Sequence, residues 1–141
     1  MKIGYTAGVY DLFHIGHLNL LKNAKQKCDK LIVGITTDEL VKYKGKCPVI
    51  TLAERMEIVK AIKYVDEVVV QDNLDKFEAW KKYHYDVLFV GDDWKGTDKW
   101  NEYELKLKEK GATVCYLPYT QTTSSTLLTE VLKKIQSINS D

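Results

Sequence analysis

Apolar and polar positions along this chain follow two alternating patterns. Short runs rich in β-branched and aromatic residues indicate strands that are buried in a sheet. They are predicted at residues 2–7, 31–36, 67–70, 87–90 and 114–117. Between them, apolar residues recur every three or four positions, which is typical of amphipathic helices. The helices are predicted at residues 15–28, 51–63, 75–83, 100–110 and 124–138.

The alternation of strands and helices predicts an α/β fold. We expect one Rossmann-like, doubly wound domain over residues 1–141, with a mostly parallel five-stranded sheet and helices on both faces. In such sheets a ligand binds outside the carboxyl ends of the strands, where the strand order reverses. The segments that would meet on this rim are residues 8–17, 36–38, 91–94 and 120–126.

The composition restricts the classes of function. Lysine and arginine number 21 against 20 aspartates and glutamates, a balance that argues against a general nucleic-acid or membrane binder. No apolar run approaches the roughly 20 residues of a membrane span, and the chain starts with a strand rather than an apolar signal region, so we expect a cytoplasmic protein. The three cysteines are expected to be reduced thiols, with Cys28 and Cys115 in the core.

The turn after the first strand carries two histidines. His14 and His17 stand three positions apart and therefore share a face at the start of the first predicted helix. Free N–H groups and the positive end of the helix dipole favour an anion there. Gly16 removes a side chain where a ligand backbone would come close. Because neither G-x-G-x-x-G nor G-x-x-x-x-G-K-[ST] occurs, we predict that this turn binds phosphate.

Zinc binding and a plain helix surface are the two alternatives to phosphate binding at this turn. A zinc site is not expected, because H-x-x-H is a poor clamp and the three cysteines stand at no ligand-like spacing. Histidines on a helix surface often have no role, but here two of them flank a glycine just after an acidic residue. That residue, Asp11, either caps the turn or orients a histidine or a magnesium ion, and the sequence leaves both possibilities open.

A row of hydroxyl side chains precedes the last predicted helix. One hydroxyl suffices as the helix N-cap, so the others suggest a second anion site. Two helix N-termini at one sheet edge could hold a triphosphate between them. The residues that we single out in this row are Tyr119, Thr120, Ser124, Ser125 and Thr126.

Further polar residues on the rim admit both a structural and a functional explanation. Lys44 and Lys46 form a basic segment, which is usually a solvated charge run. Asp92 and Asp93 follow the fourth strand, where a ligand would bind. Trp94 comes next, either to pack in the protein or to face that ligand.

Arg55 lies in the second predicted helix. It could pair with Glu54 or Asp66, while Thr51 or a neighbour caps the helix. In that case the arginine would be structural. The alternative is that its charge meets a phosphate on the rim.

Residues 8–17 fit the pattern G-x-[FY]-D-x-x-H-x-G-H, which resembles the signature of the cytidylyltransferase branch of the HxGH nucleotidyltransferases. Further matches follow in the same order along nearly the whole chain, at residues 36–39, 55, 64–67, 90–94 and 123–126. Such a series is far more specific than the HxGH element alone. Within this branch the chain is most similar to the bacterial glycerol-3-phosphate cytidylyltransferases.

The resemblance implies a reaction and a set of residue roles. CMP would pass from CTP to a small phosphorylated alcohol, sn-glycerol 3-phosphate, giving pyrophosphate and CDP-glycerol for surface polymer synthesis, with Mg²⁺ carried on CTP. The residues implied in catalysis are His14, His17, Lys44 and Lys46. Those implied in nucleotide binding are Gly8, Val9, Tyr10, Asp11, Gly16, Asp92, Asp93, Tyr119, Thr120, Ser124, Ser125 and Thr126. Those implied for the charge of the acceptor or the phosphates are Asp38, Arg55, Lys63 and Asp66.

The chain also departs from this family at three positions. Tyr119 and Lys63 stand where relatives usually have arginine, and Val9 stands where they usually have threonine. Each change removes a hydrogen-bond donor or a bidentate guanidinium near phosphate, so these changes affect the choice of acceptor and not the type of reaction. The alternatives are an acceptor such as phosphoethanolamine or a phosphorylated sugar alcohol, an adenylyltransferase that uses ATP, and a non-catalytic nucleotide-binding module. Spare aromatic residues on so small a fold lead us to expect a homodimer.

Overall fold

The computed structural model describes residues 1–43, 45, 47–118 and 125–139. Within them, all the predicted strands and helices occur in the predicted order, and one further helix lies between the second and third strands. The strands are β1 (Ile3–Gly8), β2 (Lys30–Thr36), β3 (Glu67–Gln71), β4 (Val87–Gly91) and β5 (Thr113–Leu117). The helices are α1 (Ile15–Lys25), α2 (Asp38–Tyr43), α3 (Leu52–Lys60), α4 (Lys76–Tyr83), α5 (Asp98–Glu109) and α6 (Ser125–Asn139). A 3₁₀ turn follows β4 at Asp92–Trp94.

The structure corrects the predicted elements in two ways. Helix α2 was not expected, although Thr37 caps it by accepting the N–H of Leu40 over 3.2 Å. Helices α1 and α3 end three residues earlier than predicted, at Lys25 and Lys60. After each of them the amides bond to carbonyls three positions back, which tightens the chain into a turn and ends the helix.

The five strands form one parallel sheet in the order β3-β2-β1-β4-β5. This confirms the predicted doubly wound α/β fold. The chain leaves β1 toward β2 on one side and later returns to β4 on the other, so the strand order reverses between β1 and β4. Their carboxyl ends therefore form the crevice in which such folds bind ligands.

The sheet separates two buried clusters. Successive residues of β2 alternate between them, because Leu31, Val33 and Ile35 belong to one cluster and Ile32 to the other. Helices α1 and α3 cover the first face, and helices α4 and α5 cover the second. The fully or nearly buried helix residues of the two clusters are Leu21, Ala24, Val59, Trp100 and Leu107.

The strands β1 and β4 separate toward the crevice. Their ladder contains only the pairs Gly4–Val87 and Tyr5–Leu88. Beyond it, the Thr6 hydroxyl donates to the carbonyl of a β4 residue, Phe89, over 3.0 Å. A side chain thus replaces the backbone ladder where the two strands diverge. No helix among the described residues is long and apolar enough to cross a membrane.

Candidate active site

Helix α1 begins with a cap that is built from two histidines. His14 is the N-cap, and its Nδ1 accepts the N–H of Gly16 over 3.0 Å. In return, the N–H of His14 donates to Nδ1 of His17 over 3.2 Å. This is the reciprocal geometry of a capping box, with imidazoles in place of the usual hydroxyl and carboxylate.

The cap determines the proton positions on both rings. A nitrogen that accepts a hydrogen bond carries no proton, so in the neutral form each imidazole has its proton on Nε2. The two rings stack with their centroids 4.0 Å apart. The start of α1 thus carries two neighbouring Nε2–H donors in addition to the free N–H groups of its first turn.

Burial keeps both imidazoles neutral. It lowers the pKa of His17 to about 4, to which the nearby His14 also contributes, while Asp11 acts weakly in the opposite direction. Burial lowers the pKa of His14 as well. Protonation on Nδ1 would also break the cap, because the nitrogen would no longer accept. At neutral pH the site therefore presents uncharged donors.

The turn from residue 8 to residue 17, which we call the histidine turn, has an unusual backbone. Tyr10 and Leu12 have φ values of 54° and 49°, in the left-handed region that non-glycine residues rarely adopt. The ring of Tyr10 lies 5.2 Å from that of His17, and it folds over Gly8, where a Cβ would come within 3.0 Å of it. Packing of Tyr10 thus holds the strained turn in place.

Asp11 binds a segment that is distant in the sequence. Its Oδ2 accepts the N–H of Val49 over 2.8 Å, and its Oδ1 accepts the N–H of Ile50 over 2.9 Å. The sequence left a choice between a local turn cap and an orienting partner for a histidine or a metal. These two bonds show a third role, in which Asp11 ties the histidine turn to the connection between α2 and α3.

Arg55 is fully buried, and its guanidinium group bonds to other residues of the protein. Its Nε donates to the carbonyl of Ile50 over 2.9 Å, and its Nη1 donates to the carbonyls of Val9 and Thr36 over 2.7 and 2.9 Å. Its Nη2 forms an ion pair with Asp38. Most of its N–H donors are therefore used, which corrects the expectation that Arg55 meets a phosphate charge.

Asp38 is likewise a structural residue. It pairs with Arg55, for which the sequence had left Glu54 and Asp66 as possible partners. Its Oδ2 also accepts the N–H of Leu52 over 3.4 Å. The side chain of Thr51, the N-cap of α3, makes no capping hydrogen bond. Asp38 thus helps to cap α3 from another helix, and its predicted role toward the acceptor is not supported by this position.

Lys63 and Asp66 lie at the opposite edge of the sheet. Both precede β3 and therefore stand at the amino ends of the parallel strands, away from the crevice. Asp66 accepts the N–H of Leu31 over 2.7 Å and pairs with Lys25 over 2.6 Å. The ammonium group of Lys63 lies 5.2 Å from the ring centroid of Tyr64. The expectation that these residues meet acceptor charge is corrected by their location.

A cavity of about 530 Å³ opens beside the histidine turn. It is lined by four parts of the chain: the histidine turn, helix α2, the α2–α3 connection and helix α6. The lining residues are Val9, Tyr10, Asp11, His17, Val41, Gly45, Cys47, Pro48, Thr129, Glu130 and Lys133. A volume of this size is typical of sites for small molecules.

The α6 residues of this cavity were not predicted. Thr129, Glu130 and Lys133 stand three, four and seven positions after Thr126, and in a helix that spacing defines one face. Extending the hydroxyl row of the sequence along that face would have found them. Ser125 and Thr126 begin α6.

The remaining predicted residues fall into two groups. Asp92, Asp93 and Trp94 form the 3₁₀ turn at the carboxyl end of β4, and Trp94 is 50% exposed, which fits a rim position better than a core position. The other group lies outside the described residues. It consists of Lys44, Lys46, Tyr119, Thr120 and Ser124.

Comparison with known proteins assigns this arrangement. A family model described as Cytidylyltransferase-like matches residues 5–135. The chain belongs to the cytidylyltransferase-like family. The resemblance seen in the sequence is thereby confirmed, and the chain is a nucleotidyltransferase.

Relatives within this family act on different substrates. The chain is 38% identical over 131 residues to the glycerol-3-phosphate cytidylyltransferase of Bacillus subtilis (strain 168), covering 92% of this chain and 96% of that one. It is 36% identical over 132 residues to the FAD synthase of Thermococcus sibiricus, covering 92% of this chain and 89% of that one. A solved structure, the lipopolysaccharide core biosynthesis protein of Thermoplasma volcanium, superposes with a TM-score of 0.72 at 25% identity, covering 87% of this chain and 99% of that one.

Proposed function

We propose that this chain transfers CMP from CTP to sn-glycerol 3-phosphate, forming CDP-glycerol and pyrophosphate. The observation that carries the proposal is the double-histidine cap, which presents two neutral Nε2–H donors at a helix N-terminus in the crevice between β1 and β4. The turn at residues 91–94 resembles the cytidylyltransferase branch and favours CTP. The relatives named glycerol-3-phosphate cytidylyltransferase support the acceptor.

The reaction needs no protein nucleophile. A phosphate oxygen of the acceptor attacks the α-phosphorus of CTP, the new P–O bond forms, and the bond to the β-phosphate oxygen breaks with pyrophosphate as the leaving group. Negative charge grows on the α-phosphate oxygens in the transition state. His14 and His17 would donate to these oxygens, and preorganised donors of this kind contribute about 3 kcal/mol each to transition-state stabilisation.

Other parts of the proposal concern the two lysines outside the described residues, the start of α6 and Mg²⁺. Lys44 and Lys46 would meet the charge of the triphosphate or the acceptor, and the hydroxyl row that ends at Thr126 would hold the departing pyrophosphate. Mg²⁺ would arrive on the triphosphate and neutralise part of its charge, and it binds through few carboxylates when phosphates supply the other ligands. The exposed Asp92 and Asp93 offer suitable oxygens on the rim.

Adenylyl transfer to FMN is the second candidate. It is favoured by the FAD synthase relatives, whose identities of 36% and 34% are close to the 38%, 39% and 35% of the cytidylyltransferases. The chemistry at the histidines would be the same, because the phosphate of FMN would attack the α-phosphorus of ATP. The two candidates differ in the base and in the size of the acceptor.

The deciding experiment measures pyrophosphate release with each of CTP, ATP, GTP and UTP, against glycerol 3-phosphate, phosphoethanolamine, a phosphorylated sugar alcohol and FMN. We expect turnover with CTP and glycerol 3-phosphate, and none in the absence of an acceptor. Turnover with ATP and FMN alone would replace the proposal by the second candidate. Turnover with CTP and another phosphorylated alcohol would keep the reaction and change the acceptor.

Two further expectations stay predictions. We expect a homodimer, which light scattering at several protein concentrations would test. We expect the enzyme to work in the cytoplasm, where CTP is made available, and fractionation of cells that express the chain would test that location.

A further inference from the structure

The backbone of Ile50 is held from two sides. Its N–H donates to Oδ1 of Asp11 over 2.9 Å, and its carbonyl accepts from Nε of Arg55 over 2.9 Å. The N–H of Val49 donates to Oδ2 of Asp11 over 2.8 Å. We call these three bonds the Ile50 clamp.

The clamp joins two walls of the cavity. Asp11 belongs to the histidine turn, and Arg55 also donates to the carbonyl of Val9 in that turn over 2.7 Å. Ile50 lies near the end of the connection between α2 and α3, which supplies three lining residues: Gly45, Cys47 and Pro48. These bonds therefore restrain the position of the α2–α3 connection relative to the histidine turn, which contains His17.

We propose that Asp11 is a positioning residue of the transfer site, which acts through the Ile50 clamp to fix the α2–α3 wall relative to the two histidines. The proposal rests on the proposed function, since it takes the cavity to be the substrate site. Its consequence is that Asp11 does not act as a ligand of substrate or metal. A shift of about 1 Å in a positioned group can lower a rate by about 10²-fold, so the clamp would affect turnover without touching the reacting atoms.

The charge of Asp11 fits this role. A free carboxylate beside a triphosphate would repel it, whereas here each carboxylate oxygen accepts a backbone N–H. The negative charge is directed at the protein backbone. Val49 is 52% exposed, and its N–H donates to Asp11, so we expect loss of this bond to speed exchange of the amide with solvent.

The test compares Asp11→Asn with a matched control, Asp86→Asn. An asparagine can accept one N–H through its oxygen, but its amide group opposes the second N–H, so the clamp loses a bond. Asp86 also accepts a backbone N–H, that of Ile3 over 2.8 Å, but at the amino edge of the sheet. Amide hydrogen exchange of Val49 and Ile50 is measured by NMR, together with the Kd for CTP and the kcat and KM of the transfer reaction.

We expect Asp11→Asn to raise exchange at Val49 or Ile50 by about 10- to 100-fold, the loss of one charge-assisted bond, and to lower kcat/KM by about tenfold or more. Asp86→Asn should leave all of these values unchanged. Unchanged exchange at both amides overturns the clamp. Raised exchange with unchanged kinetics and CTP affinity overturns the positioning role, and lost activity with unchanged exchange would mean that Asp11 acts directly on substrate or metal.

Two safeguards keep the result interpretable. If Asp11→Asn does not fold, Asp11→Glu replaces it, because this variant retains the charge and displaces the carboxylate by one methylene. The same exchange and kinetic measurements are then compared with the same expected outcomes. The exchange measurement needs no substrate, and CTP binding needs no acceptor. A wrong acceptor in the proposed function would therefore abolish turnover in the wild type and leave the clamp measurements intact.

Discussion

The backbone N–H of His14 donates to the imidazole of His17 over 3.2 Å, while the imidazole of His14 accepts from the first helical turn, so each histidine depends on the other for its place. The residues that would contact the α-phosphate are thus also the residues that cap α1. Loss of activity in a histidine variant could come from either role. Variants that separate the two roles are therefore the informative ones.

The first prediction separates capping from catalysis at His14. Asparagine is a good N-cap whose Oδ1 can accept the N–H of Gly16, but it has no donor at the place of Nε2. We expect His14→Asn to unfold in urea near the wild-type midpoint and His14→Ala to lose about 1 kcal/mol. Both should lower kcat by roughly 10²-fold or more, the effect of one lost donor at a developing charge.

The measurement is steady-state kinetics together with urea unfolding. His84→Asn is the control, because His84 ends α4 and does not line the cavity. Near-normal kcat in His14→Asn would refute the catalytic role of the ring and leave the motif a structural cap.

The second prediction concerns pH. The folded pKa of His17 is about 4, and that of His14 is also lowered, against about 6.5 in an unfolded chain. Above pH 6.5 these histidines are unprotonated in both the folded and the unfolded state. Between pH 6.5 and 4, His17 becomes protonated in the unfolded state but stays neutral in the folded state. Stability should therefore be complete above about pH 6.5 and fall as the pH drops toward 4, by up to about 3 kcal/mol from His17.

Urea midpoints measured from pH 8 to 4 test this dependence. His17→Gln should flatten the acidic part of the curve relative to wild type. The ring of His17 should also stay a neutral donor below pH 6, since its pKa is about 4. A loss of activity with an apparent pKa near 6.5 that disappears in His17→Gln would contradict the lowered pKa.

The third prediction concerns Arg55, whose contacts are structural. Arg55→Met leaves three carbonyls without their donor and Asp38 without its partner, so we expect a loss of about 3 kcal/mol in the free energy of unfolding. Lys30→Met breaks the exposed pair with Glu67 and should cost less than about 1 kcal/mol. If Arg55 met substrate phosphate instead, Arg55→Met would raise KM with little change in the urea midpoint.

Local patterns in the sequence were enough to predict the parallel sheet and a helix that starts at the two histidines, because strand and helix periodicity are local. The capping role of His14 was not predicted. The structural role of Arg55 could not be predicted from local sequence, because its partners Val9 and Thr36 lie 46 and 19 positions away in the chain. Asp66 could have been excluded from the site by topology alone. A residue that precedes a strand of a parallel sheet lies at the amino edge, while ligands bind at the carboxyl edge.

The fourth prediction follows from that placement. Asp66→Asn and Lys63→Ala should leave kcat/KM for the acceptor within about twofold, because neither side chain reaches the crevice. Asp66→Asn should reduce stability by about 1 kcal/mol through weaker bonds to Leu31 and Lys25. Kinetics at saturating CTP with varied acceptor provide the test, and a tenfold rise in the acceptor KM of either variant would restore the original assignment.

The last prediction concerns helix α6. Lys133 and its neighbour Lys134 are both exposed, but only Lys133 lines the cavity, so the pair offers a matched comparison at nearly the same position. A lysine in a phosphate-binding cavity contributes charge-assisted bonds to bound anions, and removing one such bond weakens binding by about 10- to 100-fold. We expect Lys133→Ala to raise the KM for CTP or for the acceptor by about tenfold, with a smaller change in kcat, and Lys134→Ala to behave as wild type. The contrary outcome is that both variants raise KM equally at low salt and that the effect vanishes at high salt. That result would show that the helix attracts anions only through its overall charge, and α6 would then form no specific wall of the substrate site.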